Sequence, residues 1–329
     1  MSIYILETVI KIITVVALFS ALAGFGTYIE RKILGFMQRR LGPQHVGPYG
    51  LLQLIADGIK LFTKEDIIPT NAVKPIFKLA PIITAATAFI AMAAVPFVPS
   101  FKVGDHTVTP IISDINVGIL FVLGVMASGL YGPLLAGMSS YNKWSLLGGA
   151  RTAIQLLSYE VVTGLAILSP IMMVGSLSLI DINNYQAGGI GNWILWSQPV
   201  AFILFLIAGY AETNRTPFDL LEHEAEVVSG YATEYSGLRW GLFFIGEYAN
   251  MFTLSFLASL IFLGGFNPLG PIPGALAIIL KVVMLFIVFI WARAAWPHIR
   301  PDQLMWLCWK VLMPIALINI VITGLVMLA

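Results

Sequence analysis

The sequence is poor in charge, in sulfur and in histidine, and each shortage removes a class of function. Charged residues make up 11% of 329 positions, against about 25% in soluble domains. With 58% hydrophobic residues and a mean hydropathy of +0.89, no soluble core of this length could enclose so much apolar surface. Lipid must be the solvent for most of the chain. A net charge of +1 gives no electrostatic footprint for nucleic acid. A single cysteine, Cys308, excludes a disulfide framework and a cysteine-ligated iron–sulfur cluster within the chain. The four histidines, His45, His106, His223 and His298, fall in four separate polar segments, which argues against a bis-histidine haem. Neither a metal centre nor a flavin is expected to be bound by this chain.

What the sequence does have is long apolar runs. A membrane-spanning helix needs about 20 mostly apolar residues, and such runs lie at roughly 4–28, 76–98, 115–138, 152–175, 197–213, 240–264, 273–294 and 305–328. The run from Ile3 to Tyr28 reads as a first span rather than a leader, because Glu7 replaces a basic cluster and the run is longer than a usual leader core. Cations concentrate in alternate loops: Arg31, Lys32, Arg39, Arg40, Lys60, Lys64, Lys74 and Lys78 after the first span, then Lys143 and Arg151, Arg215 and Arg239, Arg293 and Arg300. The intervening loops are nearly bare, with Lys102 the cation of 99–114. By the positive-inside rule this predicts an all-α membrane protein of about eight spans, a single polytopic domain with both termini outside. No internal repeat is evident. In the first inside loop, after Gly42-Pro43 and Gly47-Pro48, the apolar positions Leu51, Leu52, Leu54, Ile55, Ile59, Leu61 and Phe62 predict an amphipathic helix lying in the interface or facing a partner.

Ionisable groups inside spans are functional candidates. Glu160 and Glu247 lie at matched depths, roughly 12–14 Å from the inner end at 1.5 Å per residue, and could share a polar cavity. Lys281 lies deeper and needs a counter-charge that either could supply. The loop after the fifth span carries Glu212, Asp219, Glu222, Glu224, Glu226 and Glu234 with Arg215 as its cation. Crowded carboxylates raise one another's pKa, which suits proton acceptance; a solvated docking loop and a hard-cation site are the other readings. In a strand Glu222, Glu224 and Glu226 would share one face. Glu30-Arg31-Lys32, Arg151 and Arg293 read by themselves as inside anchors.

Taken in order, several segments form a family pattern: Tyr28-Ile29-Glu30-Arg31-Lys32 with Gln38-Arg39-Arg40-Leu41-Gly42-Pro43; Leu52 to Leu61, containing Asp57-Gly58, with Lys64-Glu65; Ala150-Arg151, Gln155 and Ser158-Tyr159-Glu160; Ala211-Glu212-Thr213-Asn214-Arg215-Thr216-Pro217-Phe218-Asp219-Leu220 with Glu222, Glu224 and Glu226; then Glu234-Tyr235-Ser236-Gly237, Glu247-Tyr248 and Asp302-Gln303-Leu304-Met305 with Trp309-Lys310. From end to end the chain resembles the H (subunit 1) membrane subunits of respiratory complex I, the proton-pumping NADH:quinone oxidoreductase.

The resemblance implies a bacterial inner-membrane subunit at the junction of hydrophilic and membrane arms, forming much of the quinone chamber with hydrophilic-arm subunits and lying beside small membrane subunits. Quinone would be the substrate, and electrons would arrive through a partner's iron–sulfur cluster. Proton coupling would run through Glu160, Glu212, Asp219, Glu222, Glu224, Glu226 and Glu247. Glu30, Arg31, Arg40, Asp57 and Arg215 would border the chamber, its entrance or the docking loop. His223 and Ala225 depart from the family's small residue and serine, and His298 and Pro301 stand where arginine and tyrosine are usual. Such variation resembles bacterial branches whose input module need not oxidise NADH. The competing readings are the membrane subunit of an energy-converting hydrogenase, a stand-alone proton-coupled transporter and a purely structural anchor.

Overall fold

The computed structural model describes residues 2–103, 106–109, 111–221 and 224–328; at 2–6, 101–103, 106–108, 157 and 224–225 it describes the backbone alone. The chain is a multi-pass membrane protein, and the regular structure of its described residues is helical apart from one small hairpin and an isolated bridge between Leu269 and Ile272. In order the helices are α1 (Ser2–Met37), α2 (Gln53–Thr63), α3 (Lys74–Ala91), α4 (Gly118–Gly129), α5 (Tyr131–Ser139), α6 (Lys143–Val174), α7 (Leu179–Tyr185), α8 (Ile194–Ser197), α9 (Pro199–Glu212), α10 (Glu224–Val227), α11 (Gly237–Phe262), α12 (Gly274–Ala295), α13 (Pro301–Leu307) and α14 (Met313–Leu328). A π-helical stretch, Cys308–Leu312, joins α13 to α14. The hairpin pairs β1 (Phe101–Val103) with β2 (His106–Val108) in antiparallel register.

Seven helical stretches are long and apolar enough to cross a membrane, and α9, of 14 residues, is the short eighth. Each expected apolar run holds a helix, with different ends. The third is broken at Leu130 into α4 and α5. α1 continues nine residues past Tyr28, and α6 begins at Lys143 rather than 152. Charge at an interface does not end a helix; it anchors the helix there. The start of α6 is fixed by Asn142, whose side chain accepts from the Trp144 N–H at 2.9 Å, an N-cap.

α11 is the most enclosed of the long helices, and it packs against α1, α3 and α12. α6 packs against α5, α9 and α14. α14 shows most of its apolar side chains outward and is held by polar contacts. Asn319 donates to Ser169 and to Gln198 at 2.9 Å each, and Gln198 donates to Thr323 at 2.9 Å. Interhelical hydrogen bonds substitute here for the hydrophobic drive that lipid removes. α2 lies where the first inside loop was expected to form a helix. Ile55, Ile59 and Phe62 on it are exposed, and Gly241 admits Leu61 against α11.

Candidate functional site

Four segments converge on one buried carboxylate. Glu30, near the C-terminal end of α1, is 3% exposed. Its oxygens accept from Arg215 Nη1 at 3.0 Å, from the Tyr248 hydroxyl at 2.7 Å and from Arg293 Nη1. Arg215 Nη2 lies 3.9 Å from Glu247, and the guanidinium sits 4.6 Å from the centre of the Tyr248 ring. Burial opposes the Arg215 charge, but Tyr248, Glu30 and Glu247 more than offset it and hold the pKa above its ordinary value. α1 can approach this closely because Gly26 carries no side chain: a Cβ there would stand 3.0 Å from both Phe286 and Tyr248.

Tyr248 also belongs to a cavity of about 230 Å³ between α1, α2 and α11. Gly24, Thr27, Trp240 and Phe244 line its walls, with the Trp240 and Phe244 rings stacked at 4.6 Å. Arg31 and Asp57 line it as well and pair with each other at 2.5 Å, while Gln53, one turn earlier on α2, holds the second Asp57 oxygen at 3.0 Å. The cavity is thus a mostly apolar slot carrying an ion pair and, on Tyr248, a link to the Glu30 cluster. Such a shape suits an apolar ligand with a polar end.

A second cavity, about 280 Å³, lies between α4, α6 and α9 and is lined by Tyr159, Glu160, Thr163 and Glu212 among others. Glu212 is 7% exposed, whereas Glu160 is open to the surroundings. The facing is set by Gln155, one turn before Tyr159, which donates to Ala211 O at 2.5 Å and to Asn214 Oδ1 at 3.0 Å, tying α6 to the end of α9.

The sequence matches the family described as NADH dehydrogenase over residues 10–324. It is 76% identical to the H subunit of NADH-quinone oxidoreductase from Nitratiruptor sp., over 98% of both chains. It is 74% identical to the protein of that name from Wolinella succinogenes, over 99% of both, and 67% identical to that from Sulfurimonas denitrificans, also over 99% of both. The chain belongs to the NADH dehydrogenase family.

Within this family member, the acids expected from sequence fall into separate groups. Glu160 and Glu247 do not share a cavity: Glu160 faces Glu212, and Glu247 faces Arg215. Matched depth on two helices says nothing about which way each side chain turns. Lys281 pairs with neither. Its ammonium donates to Gly265 O at 2.8 Å and lies 4.9 Å from the Trp193 ring centre, so a carbonyl and a π face replace the expected carboxylate. Arg215 is buried with Glu30 rather than exposed on the loop. Arg31 and Asp57 flank the slot, whereas Arg40 lies on the surface, donates to Gln38 at 2.8 Å and is not among the slot's walls.

On the acidic loop Asp219 is half-buried, Glu226 accepts from Arg151 at 2.5 Å and Glu234 accepts from Asn142 at 2.6 Å. Glu222 and His223 lie outside the described residues, as does the Glu224 side chain. The backbone at Glu224 and Glu226 forms a helical turn, not a strand. Arg293, read from sequence as an anchor, and Tyr248, quoted in a motif without a role, both hold Glu30. A charge spent on a partner 263 residues away leaves no local pattern. Among the described residues no group of three or more His, Cys, Asp or Glu side chains is arranged to hold a metal ion.

Proposed function

We propose that this chain works as the quinone-chamber membrane subunit of a proton-translocating NADH, or other donor, quinone oxidoreductase. The observation that carries this reading is Tyr248, which walls the apolar slot and donates to Glu30 inside the ion cluster. The slot takes the hydrophobic part of a quinone between α1, α2 and α11, with Arg31 and Asp57 at its polar edge. Arg40 stands further out, on the surface that receives the hydrophilic arm. Reduction of quinone to quinol takes up two protons, so buried carboxylates beside the chamber are the expected conduits. Glu30, Glu247 and Arg215 form the part next to the slot; Glu160 and Glu212 form a second part between α6 and α9; Asp219, Glu222, Glu224 and Glu226 supply the loop. Electrons come from a redox centre in a partner subunit. The partners are the hydrophilic-arm subunits that close the chamber, the adjacent small membrane subunits and lipid. The location is the bacterial inner membrane with both termini on its outer side. The hydrogenase and transporter readings draw no support from relatives named as quinone oxidoreductase subunits.

Tyr248→Phe tests the link, since it keeps the slot wall and removes the hydroxyl. A hydrogen bond to a charged group is worth about 1.5–3 kcal/mol, so donor:quinone reductase activity in membranes with a fully assembled complex should fall by about tenfold or more. Unchanged turnover and pumping in the assembled variant would disconnect the slot from the acid cluster and sink the reading.

A further inference from the structure

Two segments, α6 and the stretch between α12 and α13, meet at one loop carboxylate. Glu226, on α10, accepts from Arg151 of α6 at 2.5 Å through one oxygen. Nε2 of His298, in the segment between α12 and α13, lies 4.0 Å from the other oxygen. One residue further on, the Ile299 N–H donates to Pro217 O at 3.1 Å, so the His298 segment is also stitched to the start of the same loop. The His298 side chain is 14% exposed and that of Glu226 29%, so water screens the contact only in part. A helix of four residues cannot hold itself together, and α10 therefore depends on the side chains that clasp it.

We propose that His298 is a positioning residue for the acidic loop. As an imidazolium it completes, with Arg151, a two-cation clasp on Glu226; as a neutral imidazole it leaves Arg151 to hold the loop by one side. Imidazole is the side chain whose ordinary pKa, about 6.5, puts this change in the physiological range. Charged side chains on the neighbouring described segments have partners of their own. From α6 the neighbour is Arg151, bound to Glu226. At the end of α12 Arg293 is bound to Glu30. Arg300 and Asp302 on the approach to α13 pair with each other at 2.9 Å, both exposed. Of the loop acids beyond Glu212, the described side chains are Asp219, Glu226 and Glu234, the last bound to Asn142; Glu222, His223 and the Glu224 side chain lie outside the described residues. The proposal rests on the functional reading above, because it concerns the placement of carboxylates assigned there to proton coupling.

The test uses membranes carrying the whole complex, assayed for donor:quinone reductase activity from pH 6 to 8.5. Three forms are compared: wild type, His298→Arg with a permanent cation, and His298→Asn with none. Wild-type activity should lose about threefold or more as pH rises through the imidazole range; the arginine form should lose that limb and stay high, and the asparagine form should stay at the alkaline level throughout. Superimposed profiles in assembled complexes would overturn the proposal. If the asparagine form fails to assemble, the arginine form decides alone, since a retained limb under a permanent cation is equally fatal. If neither assembles, the contact is purely structural and the positioning role is refuted. Wild-type membranes with an assembled complex but no quinone reduction would instead overturn the underlying functional reading.

Discussion

At the scale of single residues, the Glu30 cluster gathers several charges in a buried place. Two guanidiniums and a phenol satisfy one buried carboxylate, while a second carboxylate, Glu247, stands 3.9 Å from Arg215. Removing one partner of such a buried group costs about 3–5 kcal/mol because the remaining charge is left uncompensated. Arg215→Met should therefore cut the amount of assembled complex on a native gel severalfold. Arg215→Lys should keep part of it, since it restores the charge but not the two-pronged donor geometry. Equal assembly of the methionine form and wild type would show that Arg293 alone suffices. Of this cluster only Glu247 was visible in the sequence as a charge inside a span; Glu30 read by itself as part of an anchor, and Arg215 as the cation of the acidic loop. Their pairing was not visible, because a charge on an apolar helix announces its cost without naming its partner. Lys281 makes the same point in reverse: the expected carboxylate is a backbone carbonyl, which every residue carries.

Among the elements, α6 passes close over the turn at residues 230–232. Gly148 permits it: a Cβ there would stand 2.6 Å from the Tyr231 amide nitrogen and 2.7 Å from Gly230 Cα. Backbone cannot rotate away as a side chain can, so Gly148→Ala should push α6 off the end of the acidic loop. The expected loss is about 1–3 kcal/mol, typical of overpacking, read as a lower midpoint for thermal inactivation of the complex. Gly164→Ala on the same helix meets nothing within 4 Å and serves as the comparison; equal midpoints would refute the packing argument. Helix positions were legible from sequence because lipid imposes composition on every span. Helix ends were not. α1 and α6 run on through their basic residues, and the acidic stretch read as strand-like alternation closes instead into a helical turn at Glu224–Val227, where four residues are too few for a period to declare itself.

For the molecule as a whole, the alternation of basic and bare loops makes a prediction about sidedness. Cys308 is buried, so a cysteine placed on an exposed loop can be labelled against a quiet background. Lys64→Cys, beside α2, should react with a membrane-impermeant maleimide only in inside-out vesicles. Asn192→Cys, before α8, should react only in right-side-out ones. Both positions are exposed. Labelling of both from one side would break the assignment of the termini to the outer face.

α1 spans 36 residues, about 54 Å at 1.5 Å per residue, while the hydrocarbon of a bilayer is about 30 Å thick. The surplus must be taken up by tilt or by protrusion into the headgroups. Glu30 rides on α1, while the groups that hold it stand on α11, α12 and the loop after α9. A thinner membrane asks α1 to lean further and a thicker one asks it to stand up, and either movement pulls on those bonds. Acyl-chain length thereby becomes a mechanical input to the ion cluster, delivered through the angle of one helix.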